Sequence, residues 1–287
     1  MTLRGPEAFF LPGLHGPRYC LFHPAHGVPR GLVLHVHPFA EELNKTRRMA
    51  ALQARAIAGA GFAVLQIDLL GCGDSAGDFC DARWDTWIQD LLQACGWLTD
   101  ADPRHAALPL WLWGVRAGSL LAADAVRALD RPCHLLLWQP AFADGAAQLQ
   151  QFLRLRLAAD MLAAPDAAGR SNGAMEALRQ QLAQGKTLQI AGYALHPALA
   201  AGLKASRLFP PPLRENDRRL VWLETTTATP PSLSPLGTRT LELWRQAGWQ
   251  TYGEAVHGPA FWQSAEMEEA PLLLSATTTA LSAVPIP

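Results

Sequence analysis

The stretch Leu108-Pro109-Leu110-Trp111-Leu112-Trp113-Gly114-Val115-Arg116-Ala117-Gly118-Ser119 decides how this chain folds. A short, mostly apolar run, long enough for a buried strand, enters a turn bracketed by Gly114 and Gly118. Ser119 to Leu129 then continues with the alanines and leucines of a helix. One glycine lets the backbone turn tightly, and the other lets helix and strand approach with no Cβ between them. A corner of this kind lifts its middle side chain out at the end of the strand, and here that side chain is Arg116. A guanidinium stays protonated at physiological pH and carries only donors, so it is neither nucleophile nor base.

Outward from this corner, strand-like and helix-like segments alternate, which predicts an α/β fold with a mostly parallel sheet and helices on both faces. Residues 8–10 and 18–22 suit an antiparallel lead-in hairpin. Gly31 to Val36 reads as a buried strand. Asn44 is placed to cap the next helix, whose Met49, Leu52, Ala56, Ile57 and Ala60 recur at helical spacing until Gly61. Phe62 to Ile67 is the next strand, ending at Asp68. A Gly/Asp-rich loop, 69–83, leads to a helix from Trp84 to about Leu98. After the corner, His134 to Trp138 forms a strand closed by Gln139-Pro140. Regular alternation stops over 141–215, where helices are expected near 146–162 and 173–184, a strand near 188–190 and a short helix near 197–203. A mixed insertion between core strands predicts a cap, 141–215, over a core made of 1–140 and 216–287. The core resumes at Leu220 to Leu223. A helix follows over about 236–247, then a last strand from Trp249 to Ala255, directly before His257-Gly258-Pro259. The tail past Ala270 lacks periodicity and reads as loosely ordered.

At 287 residues, with 49% hydrophobic and 17% charged residues, the chain suits one large domain. Its net charge of −1 gives no global attraction to nucleic acid or anionic lipid. Five scattered cysteines outline neither a disulfide framework nor a zinc site, and nothing points to a metal or an organic cofactor. With no signal-peptide pattern and no apolar run long enough for a membrane span, the expected compartment is the cytoplasm.

The Gly114–Gly118 corner resembles the nucleophile elbow, G-x-S-x-G, of α/β-hydrolases, with arginine in place of serine. The order of parts agrees: elbow after a central strand, insertion, late strand, histidine. Two further stretches narrow the likeness: His35-Val36-His37-Pro38-Phe39-Ala40-Glu41-Glu42-Leu43-Asn44-Lys45 and Asp68-Leu69-Leu70-Gly71-Cys72-Gly73-Asp74-Ser75-Ala76-Gly77-Asp78-Phe79. Together the three resemble the second of two hydrolase-like proteins that accompany the exosortase A system of exopolysaccharide-producing bacteria with PEP-CTERM sorting signals. The resemblance implies an α/β-hydrolase fold and that genomic setting, and it leaves two readings: a hydrolase of ester or acyl groups with its serine replaced, or a non-catalytic protein that binds an anionic ligand or a protein partner of that machinery. It implies no defined substrate.

In this frame His257 stands where the general base belongs, and Glu224, just past Leu223, is the candidate acid. Gly73-Asp74-Ser75-Ala76-Gly77 matches G-x-S-x-G literally, but no helix starts directly after it, so Ser75 reads as a turn residue rather than the nucleophile. Ser119 lies one helical turn past Arg116 and is no better placed. Removing the nucleophile of a triad enzyme costs roughly 10⁶ in kcat, so Arg116 ends ordinary acyl-enzyme chemistry. It either holds a carboxylate, phosphate or sulfate at the mouth of the old site or closes a structural salt bridge. The candidate oxyanion and ligand-binding positions are the backbone at Phe39, Val115 and Ala117, with His37 beside them. Lys45, Arg47 and Arg48 are expected in the first turn of their helix, where cations oppose the helix dipole. Glu41, Glu42 and Asp74 can offset them, or Lys45 and Arg48 can join Arg116 around an anionic ligand. Trp84, Trp87 and Trp262 flank the site loops and are candidates to stack on a sugar ring.

Overall fold

Eight strands form one sheet in the computed structural model, which describes residues 5–163, 173–211, 218–264 and 266–283. Strands β1 (Glu7–Leu11) and β2 (Arg18–His23) form the lead-in hairpin. They are followed by β3 (Gly31–Val36), β4 (Phe62–Ile67), β5 (Leu110–Val115) and β6 (Cys133–Trp138). A two-stranded unit, β7 (Leu188–Ile190) and β8 (Tyr193–Leu195), stands apart. Strands β9 (Arg219–Thr226) and β10 (Gln250–His257) complete the main sheet. The spatial order is β1-β2-β4-β3-β5-β6-β9-β10, antiparallel only where β2 meets β1 and β4.

Every residue of β3, β5 and β6 is buried, so these strands carry apolar side chains toward both faces. Leu32, Leu34 and Val36 pack on one face with Leu91 and Leu98 of α2 (Trp84–Asp100) and Leu121 of α3 (Gly118–Ala128). On the other face Val33, Trp111 and Trp113 share a core with Met49 and Ile57 of α1 (Glu41–Gly59). The parallel strands end together at the edge that carries the Gly114–Gly118 corner, where ligands bind in open α/β sheets.

Two local expectations are corrected. Helix α1 begins at Glu41 with Ala40 as its N-cap, so Asn44 lies inside the first turn and caps nothing. Lys45, Arg47 and Arg48 consequently fall in the second turn. Glu41 and Glu42 occupy the first, where carboxylates favour the dipole. The tail holds a helix, α8 (Pro271–Ser282), whose Leu273, Ala276 and Leu281 pack into the second core. Thr277 accepts a buried hydrogen bond from Trp138 Nε1 at 2.8 Å. Its small residues, Ala and Thr, give little amphipathic contrast, which is why the periodicity is faint in the sequence.

Between β6 and β9 run α4 (Gly145–Ala163), α5 (Ala174–Ala183), the β7–β8 hairpin and α6 (Pro197–Ala205). The core is then completed by α7 (Pro235–Gln246) before β10. The domain boundary read at 215–216 lies outside the described residues. Glycine decides one packing contact of this insertion: a Cβ on Gly145 would overlap the carbonyl oxygen of Leu203, so α4 and α6 meet backbone to backbone.

Candidate functional site

The corner after β5 has the geometry of a nucleophile elbow. Arg116 sits at φ 54°, in the left-handed region that a non-glycine residue occupies at a cost of about 1–3 kcal/mol. Its N–H donates to Trp138 O at 2.9 Å, and its carbonyl accepts from Ser119 N at 3.1 Å. The flanking glycines are required. A Cβ on Gly114 would come within 2.8 Å of Ser119 Cα, and one on Gly118 within 2.4 Å of Val36 O.

The Arg116 side chain folds back over this corner and is buried, 7% exposed. Its Nη2 lies 3.1 Å from Glu42 Oε1, and its Nε donates to the same carboxylate at 3.3 and 3.4 Å. Its Nη1 donates to Gln139 O at 3.3 Å. The guanidinium carbon stands 4.8 Å from the centre of the Trp262 ring, within cation–π range. Glu42, 22% exposed, thus provides from the chain itself the negative charge that a guanidinium needs in a poorly hydrated place. Gln139, also at positive φ, is fixed in turn: its Oε1 accepts from Thr225 N at 2.8 Å.

The remaining sequence candidates do not assemble a triad. His257 ends β10 opposite Thr226, with its side chain exposed and no carboxylate bonded to it among the described residues. Glu224 lies within β9 and is buried, but its carboxylate is turned to the start of α7. It accepts from Ser234 N at 2.7 Å, Ser234 Oγ at 2.6 Å and Trp222 Nε1 at 2.6 Å. The alternation of a strand explains this, because Glu224 projects to the same side as Trp222 and away from Leu223 and Thr225. Ser75 is a turn residue: its Oγ accepts from Tyr19 N at 2.8 Å and donates to Asp68 O. Ser119 is fully buried, with Oγ on Gly114 O.

Of the oxyanion candidates, Val115 belongs to β5, where it pairs with Trp138, and its side chain lies in the second core. Ala117 is the residue before α3. Phe39 directs its ring into an aromatic cluster with Phe79, Trp87 and Phe152. His37 is locked within the loop, Nδ1 to Pro38 O at 2.8 Å and Nε2 accepting from Leu69 N at 3.4 Å. Burial lowers its pKa, which keeps the ring neutral. The cations offered as partners of Arg116 around an anion are engaged elsewhere. Arg48 pairs with Glu269, Arg47 with Asp68, and Lys45 Nζ donates to Gln263 O at 3.1 Å.

A cleft of about 440 Å³ opens beside the Arg116–Glu42 pair. Its floor comes from Phe39 and the start of α1, through Glu42 and Lys45, and its wall from α4, through Gln148, Gln151 and Phe152. Trp262, in the loop after His257, closes one side. Sequence reasoning missed Glu42 as the partner of Arg116, and placed a cap helix over the site without naming the α4 residues that line it. The available signal for Glu42 was electrostatic, since a buried cation requires a nearby acid. Asp78, Cys80 and Asp81 place their ligand atoms within 4.8 Å of one another at the surface, but Asp81 already accepts from Asp78 N as a local cap.

Residues 27–197, more than half of the chain, match the family model described as serine aminopeptidase, S33. The chain belongs to the S33 family of α/β-hydrolases. No curated protein sequence matches it. Solved structures similar to this S33-family chain share its fold at low identity. A carboxyl esterase from Bacillus coagulans, in complex with glycerol, has a TM-score of 0.62 at 12% identity, over 97% of both chains. Est1E from Butyrivibrio proteoclasticus, with ferulic acid bound, gives 0.60 at 13%, over 96% of this chain and 98% of its own. XC6422 from Xanthomonas campestris, an α/β serine hydrolase without a lid, gives 0.55 at 14%, over 98% and 97%. The fold is therefore that of the α/β-hydrolases. Among the described residues no helix is long and apolar enough to cross a membrane.

Proposed function

We propose that this S33-family chain is a hydrolase-fold protein that has given up serine acyl transfer and binds its ligand in the cleft beneath α4. The resemblance of its loops to the second hydrolase-like protein of exosortase A systems supplies the setting, with a partner among that machinery. The observation that carries the reading is the apex of the elbow. The strained turn that exists to present a nucleophile presents Arg116, and Arg116 is neutralised by Glu42. A hydrolytic route without serine would run through His257 and a water. The exposure of His257, and the engagement of Glu224 with Ser234, favour binding over that route.

The test is an esterase assay on short p-nitrophenyl esters together with labelling by a fluorophosphonate, which reports an activated serine. The expected result is no labelling and no turnover above the uncatalysed rate. Turnover that disappears in His257→Ala would establish a hydrolase and overturn the reading, as would labelling that disappears in Ser75→Ala.

A further inference from the structure

We infer that the cleft beneath α4 takes an uncharged, hydroxyl-rich ligand of the size of one or two sugar rings, and not an anion. The inference deepens the binding function proposed above and rests on it.

Two buried polar atoms without any protein partner belong to residues that line this one cleft. Trp262 is 6% exposed, and its Nε1–H has no acceptor. Gln151 Oε1, buried in the α4 wall, has no donor. Trp111, Trp113 and Trp249 also carry unpaired indole N–H groups, but none of them lines the cleft. A buried polar atom left unpaired costs free energy that a ligand can return, so the orphans describe what is wanted: an acceptor for Trp262 and a donor for Gln151. A hydroxyl group is both, and a polyol offers several at fixed spacing.

Charge excludes the anionic alternative. The ionised side chains at the cleft are Glu41, Glu42 and Lys45, with Arg116 beneath, so two negative charges face two positive ones. Arg116 already holds Glu42, and an incoming carboxylate or phosphate would have to displace it while standing beside Glu41. Phe39, Phe152, Leu155 and Trp262 line the cleft with apolar surface of the kind on which the C–H faces of a sugar ring rest. The volume of about 440 Å³ falls in the range of small-molecule sites.

The experiment is titration calorimetry of the whole protein with methyl glycosides of glucose, galactose, mannose and N-acetylglucosamine, their β-linked disaccharides, and glucuronate and inorganic phosphate. At least one neutral glycoside should bind saturably, with glucuronate and phosphate silent. Gln151→Leu, which removes one orphan at nearly constant volume, should weaken that binding roughly tenfold, the scale of one buried hydrogen bond, and Trp262→Phe, which also removes part of the ring, by at least as much. Tighter binding of disaccharides than of monosaccharides would identify an oligosaccharide as the source, and equal binding a free sugar. Saturable binding of glucuronate or phosphate, no binding by any neutral glycoside, or unchanged affinity in both variants would overturn the inference. Ester turnover dependent on His257 or Ser75 would instead remove the non-catalytic reading, so the two failures are separable.

Discussion

Arg116 Nη2 and Glu42 Oε1 lie 3.1 Å apart, joining the apex of the elbow to the first turn of α1. The pair does two things. It offsets the charge of a cation that stands, 7% exposed, where hydrolases of this fold keep a neutral hydroxyl, and it ties the elbow to the helix start that borders the cleft. Removing one partner of such a pair strands the other, whereas removing both does not. Glu42→Ala is therefore expected to destabilise the protein by about 2 kcal/mol, less than a fully buried pair because Glu42 is partly solvated. Arg116→Ala should cost less, and the double variant less than the sum. A double-mutant cycle by urea denaturation checks this, with a coupling energy of about 1 kcal/mol or more expected and strict additivity the contrary result.

The same pair has a consequence for anions. In Glu42→Gln the guanidinium keeps its place over Trp262 but loses its counter-charge, so phosphate or acetate should now raise Tm. In the wild type neither should do so. Equal shifts in both proteins would mean that Arg116 was available to external anions all along.

Arg116→Ser restores the lettering of the G-x-S-x-G motif but not a hydrolase. The new hydroxyl would stand on an intact elbow, yet His257 is exposed at the end of β10 and Glu224 is occupied by Ser234 and Trp222. Without a base to take its proton, serine remains a weak nucleophile. The expected outcome on p-nitrophenyl acetate is no acyl-enzyme burst and no dependence on His257. A burst in Arg116→Ser would show that histidine and acid can still assemble.

How much of this was legible in the sequence follows from how local each feature is. The elbow could be read because glycine spacing and strand–helix periodicity are short-range, and the glycine contacts at Gly114 and Gly118 account for both letters. The α/β-hydrolase fold followed from the order of such units. The direction of Glu224 was ambiguous because it turns on whether one more residue belongs to β9. It does, and strand alternation then carries the carboxylate toward α7. The partner of Arg116 was hidden because Glu42 is distant in sequence and served equally well, on paper, to offset Lys45, Arg47 and Arg48. Those cations instead find Gln263, Asp68 and Glu269, contacts made only by tertiary structure.

Glu224 should now act as a structural residue. It is buried and accepts hydrogen bonds from Trp222 Nε1, Ser234 N and Ser234 Oγ, at 2.6 to 2.7 Å. Glu224→Ala orphans those donors and opens a gap, for an expected loss of about 2–4 kcal/mol. Glu224→Gln keeps the volume and one acceptor but turns an NH₂ toward a donor, and should lose less than Glu224→Ala. Chemical denaturation orders the two. Equal losses would argue that the paired carboxylate acceptors, not side-chain volume, set the cost.

Acid should destabilise the protein earlier than its carboxylates alone would. His35 is buried against Trp113, and burial depresses its pKa from 6.5 to about 3; burial also lowers those of His23 and His37. A group with a depressed folded pKa binds its proton more readily in the unfolded chain. Its contribution is complete above the unfolded value of 6.5 and is lost as pH falls toward the folded one. His35 removes up to about 1.4 kcal/mol per pH unit in that window, and His23 and His37 act in the same direction. Urea melts at about pH 7, 6 and 5, above the range where most carboxylates titrate, should therefore show a steep fall. His35→Phe keeps an aromatic ring on Trp113 and removes one titrating group, so its stability should fall less steeply with acid than that of the wild type. Parallel curves for the two proteins would mean that the proton is taken up elsewhere.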